Sequence, residues 1–264
     1  MSLRREINAM VAICGRDIVR FFRAWKSNIG MSFLFPAIFL GIFGSTIGQN
    51  LGGGLPFDYM QFVLLGMVAS MALMFTANLV TTLVEERETG FTQEVFVSPI
   101  SRYSILIGKI LGASVNSLVI VATTIAVGVA IGIQISLVGI GLILLVIPVV
   151  FLMGGAFGVM VSGLFNASPR TAGQAVMLVM FPQMFLSGAI IPIGNSTGWV
   201  DVLVHLMPAT YVVDLMRGVF YWGTPTYGQV VLYDPLLDLM ITLIVSIALF
   251  AIGTYFFARS ERER

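Results

Sequence analysis

Apolar residues gather into six long stretches, at about residues 29–47, 59–84, 104–131, 137–165, 172–193 and 236–257. A helix needs about 20 apolar residues to cross a hydrocarbon core roughly 30 Å thick, so each stretch predicts a transmembrane helix. The second, third and fourth exceed that length and have room to tilt or to project beyond the bilayer. Ahead of them, Leu3, Ile7, Met10, Val11, Cys14, Ile18, Phe21, Phe22 and Trp25 recur at helical spacing. They share one stripe about 120° wide, while Arg5, Arg16, Arg20, Arg23 and Lys26 project from the other side. Residues 1–27 therefore predict an amphipathic helix in the membrane interface. An anchor beside anionic lipid and a contact for a partner are both open for it. The pattern as a whole predicts one all-α unit over residues 1–264, with a six-span core at 28–258.

The connections differ in kind. Residues 48–58 are short and glycine-rich, and the connection near Gln134 is only a turn. Residues 194–235 are long and contain GWVDVLVHLMPATYVVDLMRGVFYW, too apolar for a solvated loop. Pro208 interrupts that run, which predicts two short helices dipping part-way into the membrane as a re-entrant hairpin. Irregular backbone at such depth is tolerated only where protein or water covers it. Trp199, Tyr211, Tyr221 and Trp222 suit an interfacial belt, and Asp214 and Arg217, three apart, are placed to pair.

Composition agrees with a polytopic membrane protein. The chain is 58% hydrophobic and 10% charged, with a mean hydropathy of +0.97, whereas soluble domains run at about 45–50% apolar and about 25% charged. Thirteen of the fourteen lysines and arginines fall on one side of a six-span arrangement, and only Arg217 on the other. The positive-inside rule makes that side, and both termini, cytoplasmic. The start MSLRREINAM has no apolar region ahead of a cleavage site, so no removable signal peptide is expected.

The same inventory narrows the chemistry. Cys14 alone excludes an internal disulfide, and His205 alone excludes a histidine-based metal site. An intramembrane enzyme would need a nucleophile with a base, or a metal set. Intramembrane charge is confined to Lys109 and Asp238, both near span ends where side chains reach the interface, which argues against an ion relay.

The densest charge lies at residues 85–102, EERETGFTQEVFVSPISR. Thr92 can cap a short helix, Phe91, Val95 and Phe96 supply apolar contacts, and Pro99 would end it before Ser101 starts the next. Glu85, Glu86 and Glu88 crowd a helix C-terminus, which disfavours acids. Such a cluster suggests a cation from another chain, set against the plainer reading of a solvated charged loop.

These residues carry a resemblance. Glu86, Arg87, Glu88 and Gly90, then VSPISRY at 97–103 and GKIL at 108–111, resemble the ABC type-2 exporter permease family. FPQMFLSGAIIPI at 181–193, WVDVL at 199–203 and PATYVVDLMRG at 208–218 continue the likeness, with Ala209 departing mildly from it. The resemblance implies the transmembrane subunit of an ATP-driven exporter in the cell membrane. It further implies pairing with a second permease copy or a paralogue, and two ATP-binding cassette subunits. The segment after the second span would be the coupling helix that docks on the ATPase. Its residues would be Glu85, Glu86, Arg87, Glu88, Gly90, Phe91, Val95, Phe96, Pro99 and Arg102.

ATP and Mg would sit on the partner, since no G-x-x-x-x-G-K-[ST] loop occurs in this chain. No bound cofactor, metal or nucleic acid is expected; membrane lipid is. A passage lined by Phe35, Phe39, Phe75, Asn78, Met184 and Phe185 would suit a hydrophobic or amphipathic passenger, a drug or a lipid. Helix packing is the competing use of such residues. An ion-coupled carrier and a non-transporting assembly subunit are the alternative functions.

Overall fold

The computed structural model describes residues 3–51, 55–88, 101–165, 169–193 and 198–260. These residues fold into helices with no strand among them. In chain order they are α1 (Leu3–Arg23), α2 (Trp25–Leu51), α3 (Tyr59–Glu88), α4 (Arg102–Ala130), α5 (Leu137–Leu164), α6 (Pro169–Leu186), α7 (Trp199–Leu206), α8 (Pro208–Phe220), α9 (Tyr227–Val230) and α10 (Pro235–Ser260).

Among the described residues four helices are long and apolar enough to cross a membrane: Tyr59–Glu86, Tyr103–Ala130, Leu137–Leu164 and Pro235–Arg259. The first predicted stretch lies in α2, whose apolar part covers Asn28–Ile42. The fifth falls on α6, which ends at Leu186, short of the expected residue 193. Its final residues make an irregular turn in which Gly188 takes φ +76°, a conformation that excludes most side chains. The apolar run from 199 divides at Met207–Pro208 into α7 and α8, which meet at 77°. Proline at the first position of α8 fits there because that N–H has no intrahelical partner.

The apolar residues of α3 lie all round it, and it is buried on all sides by α2, α4, α5, α6 and α8. Small residues set the distances. A Cβ added at Gly154 would lie 2.5 Å from the Leu73 carbonyl, and one at Gly158 2.6 Å from that of Ala77, so α5 rides directly on α3. Gly163 and Gly253 bring α5 and α10 equally close. The paired Gly128 and Gly132 do not both act in packing. Gly128 meets Leu64, whereas Gly132, at φ +96°, turns the chain after α4. The outward faces are apolar, with Ile244, Ile247 and Leu236 exposed on α10, as lipid requires.

Arg217 secures the irregular turn. The sequence sets it beside Asp214, but the structure gives each another role. The Arg217 guanidinium donates to the carbonyls of Gly188, Ala189 and Phe62 at 2.8, 3.1 and 3.2 Å, and stacks 3.4 Å over the Phe62 ring. The Tyr59 hydroxyl donates to the Ile190 carbonyl. Backbone that leaves the helix is thereby satisfied by side chains, as a water-poor interior demands. Asp214 instead accepts the Leu232 and Tyr233 amides and fixes the approach to α10.

The α3–α5 contact yields a direct prediction. Gly158→Leu should lower stability by about 2 kcal/mol or more through overpacking. Gly141→Leu, at a position with nothing within 4 Å of an added Cβ, should be near neutral. Thermal unfolding of the two purified variants checks the contrast.

Candidate functional site

The site forms where α1, α3 and α4 meet. Gly108 and Gly112 give α4 a flat strip on which α1 lies. Their added Cβ atoms would stand 3.0 Å from the Met10 Cα and from the Asp17 Cβ. Phe21 is buried at this contact, while Ile7, Val11, Phe22 and Trp25 remain exposed. The apolar stripe of α1 is therefore shared between a neighbouring helix and the surroundings. The start of α4 is capped twice. The Ser101 hydroxyl accepts the Ser104 amide, and Glu6 of α1 accepts the Ser101 amide at 3.1 Å. The Ser104 side chain first, then the Ser101 amide, hold the Glu6 carboxyl below its ordinary pKa.

Between the glycines, Lys109 turns inward and is only 2% exposed. Its ammonium lies 2.7 Å from Glu86 Oε1 and 2.9 Å from Asp17 Oδ2. Glu86 also accepts from the Arg16 guanidinium at 2.9 Å on both oxygens, and Arg16 reaches Asp17 Oδ1 at 2.7 Å. Arg20 extends the set to Glu85 at 3.2 Å. Burial opposes the Arg16 charge, but Asp17 and Glu86 outweigh it and hold the guanidinium above its ordinary pKa. Three cations and three carboxylates from three helices thus form one half-buried network.

The acids expected to meet a cation from another chain have cations of their own chain beside them. Cations of the same chain satisfy Glu85 and Glu86, and Glu86 is 6% exposed. Lys109, expected to reach outward, is the centre of the network. Arg87 and Glu88 close α3, and Arg102 opens α4. Gly90, Phe91, Val95, Phe96 and Pro99 lie outside the described residues. Asp17 and Glu6 carried no sequence signal of their own. The available clue was Lys109 bracketed by two glycines, which marks a backbone passing close by.

The residues proposed to line a passage take the following places among the described residues. Phe35 and Phe39 stack at 4.6 Å on α2, and Asn78 donates to the Met74 carbonyl one turn back. Met184 is buried, and Phe185 meets Phe181 edge-on. Phe75 lines a cavity of about 310 Å³ beside the charge network.

A bundle of long apolar helices, several with lipid-suited outer faces, defines a multi-pass helical membrane protein. The chain belongs to the ABC-2 type transporter family, which it matches over residues 8–221. It is 27% identical to the "Probable doxorubicin resistance ABC transporter permease protein DrrC" of Mycobacterium tuberculosis over 220 residues, 82% of this chain and 78% of that protein. It is 26% identical to the daunorubicin resistance ABC transporter permease protein DrrB1 of Streptomyces coeruleorubidus, over 75% of this chain and 69% of that one. The inner membrane transport permease YadH of Escherichia coli is 24% identical over 79% of this chain and 81% of its own length.

Removing the Lys109 charge should leave Glu86 and Asp17 crowded and under-neutralised. Lys109→Met is expected to cost about 3 kcal/mol. Adding Glu86→Gln should recover part of the loss, giving a coupling of at least about 1 kcal/mol. A double-mutant cycle of unfolding measurements in detergent reads both values.

Proposed function

We propose that the chain is the permease subunit of an ATP-driven exporter in the cell membrane. In this reading six spans place both termini in the cytoplasm. Two separate ATP-binding subunits carry ATP and Mg, and a second permease copy or a paralogue completes the pathway. The observation that carries the proposal is the charge network at the ends of α3 and α4. α3 ends and α4 begins beside this cluster, and α1 contacts both helices there. A push on residues 89–100, which join α3 to α4, would reach three helices together, because the buried Lys109, Asp17 and Glu86 hold one another across them.

Phe91, Val95 and Phe96 serve as apolar anchors of the dock, with Glu88, Arg87 and Arg102 at its rim. Glu86 acts as an internal strut instead. Charge reversal there is therefore expected to loosen the fold as well as the coupling, and Glu88 is the cleaner site for a docking variant. The passenger is hydrophobic or amphipathic. The drug-resistance names of the relatives favour a drug, and the scarcity of charge in the spans accords with either a drug or a lipid.

The test is a pull-down of tagged protein from its native membrane with an ATPase assay on the eluate. A co-purifying soluble subunit with ATPase activity is expected, and replacing residues 91–99 by a flexible linker should remove it. A stable chain that elutes alone would favour the carrier or assembly-subunit alternative.

A further inference from the structure

Sequence position sets Asp238 near a span end, within reach of the interface, but the structure turns it inward. It lies in the first turn of α10 and is 0% exposed. Among the described residues no N–H or O–H donates to either of its carboxyl oxygens. The start of the helix supplies none, because Asp234 takes the Leu236 amide on its side chain and the Asp238 amide on its carbonyl. A carboxylate buried in that state loses its hydration and gains no partner in return.

The groups around it do not compensate. Asp214 of α8 stands within hydrogen-bonding reach of Asp238, and Asp234 also faces it. Tyr211 of α8, Tyr227 of α9 and Tyr233 just before α10 are the other titratable groups nearby. Helix α5, which also packs on α10, carries no titratable residue. Arg217, on α8, spends its guanidinium on three backbone carbonyls.

The two acids of the pair are not equivalent. Asp214 accepts the Leu232 and Tyr233 amides at 2.9 and 2.8 Å, as an ionised carboxylate does. Asp238 has no such donors. Two ionised carboxylates side by side repel and have no hydrogen to share, whereas one proton turns the contact into an O–H···O bond. We propose that Asp238 and Asp214 bind one proton between them, held on Asp238 and donated to Asp214, and that this bond fastens α10 to α8. A proton needs no open space, so the burial of both Asp238 oxygens suits this ligand. Its release to water leaves two anions facing each other, which makes the fastening sensitive to pH. The site belongs to this chain alone, and its failure would leave the exporter reading standing.

The experiment is infrared spectroscopy of the purified full chain in maltoside micelles, which contribute no ester carbonyl. At neutral pH the C=O stretch of a protonated carboxylic acid is expected. Isotopic labelling of the aspartate carboxyls should shift it, and Asp238→Asn should remove it. Unfolding against pH is the second readout. Near neutral pH both carboxyls are ionised in an unfolded chain, while the folded pair carries one proton. Unfolding then releases that proton, so its equilibrium constant rises about tenfold for each unit of pH and stability falls as pH rises. The Asp238→Asn amide can donate to Asp214 in the proton's place, so this variant should fold and lose that one-proton dependence. A missing acid band in the unsubstituted chain at neutral pH, or a band that aspartate labelling does not move, overturns the proposal whatever the variant does. A band or a pH slope that persists unchanged in folded Asp238→Asn overturns it equally.

Discussion

One lysine ammonium held between two carboxylates organises one end of the helix bundle. Lys109 on α4 meets Asp17 on α1 and Glu86 on α3. A buried ion pair adds little net stability over a well-packed apolar contact, yet breaking one side of it is costly. Such a network therefore specifies position more than it supplies stability. It fixes the rotation and height of three helices relative to one another, and it does so at both ends of the segment that would face a soluble partner.

The opposite end of the bundle obeys the same constraint with different groups. There the chain leaves α6 and runs irregularly, and the exposed carbonyls are met by Arg217 and Tyr59. Asp214 caps the two amides that precede α10. Between these two polar ends, α3 and α5 touch through glycines, with few polar bonds to hold them apart or together. The result is a close-packed shaft with a polar clamp at each end, a form suited to passing a displacement along its length.

The helices were legible in the linear pattern because length and period are local properties. So were the amphipathic character of α1 and the division at Pro208, where one residue type dictates the backbone. Pairing was not legible. Arg16 and Glu86 are 70 residues apart, and no periodicity within one helix reveals which face meets which. The pattern therefore left Glu85 and Glu86 waiting for a foreign cation and placed Lys109 at the interface. The end of α6 was also hidden, since FLSGAIIPI is apolar enough to continue as a span. What stops it is the capture of its carbonyls by Arg217, another long-range contact. Gly188 and the glycines flanking Lys109 were the signals that could have been read further.

In the proposed function, the α1–α3–α4 network transmits work from an ATPase to the spans. The most direct measurement is cargo moved per ATP hydrolysed, in proteoliposomes holding the permease with its ATPase subunit. A paired neutralisation, Lys109→Met with Glu86→Gln, removes the central bond while sparing the fold the cost of a lone buried charge. The ATPase is expected still to bind and hydrolyse ATP while cargo moved per ATP falls by about tenfold, the effect of roughly 1.4 kcal/mol of lost coupling. An unchanged ratio in a folded, fully assembled complex would contradict it.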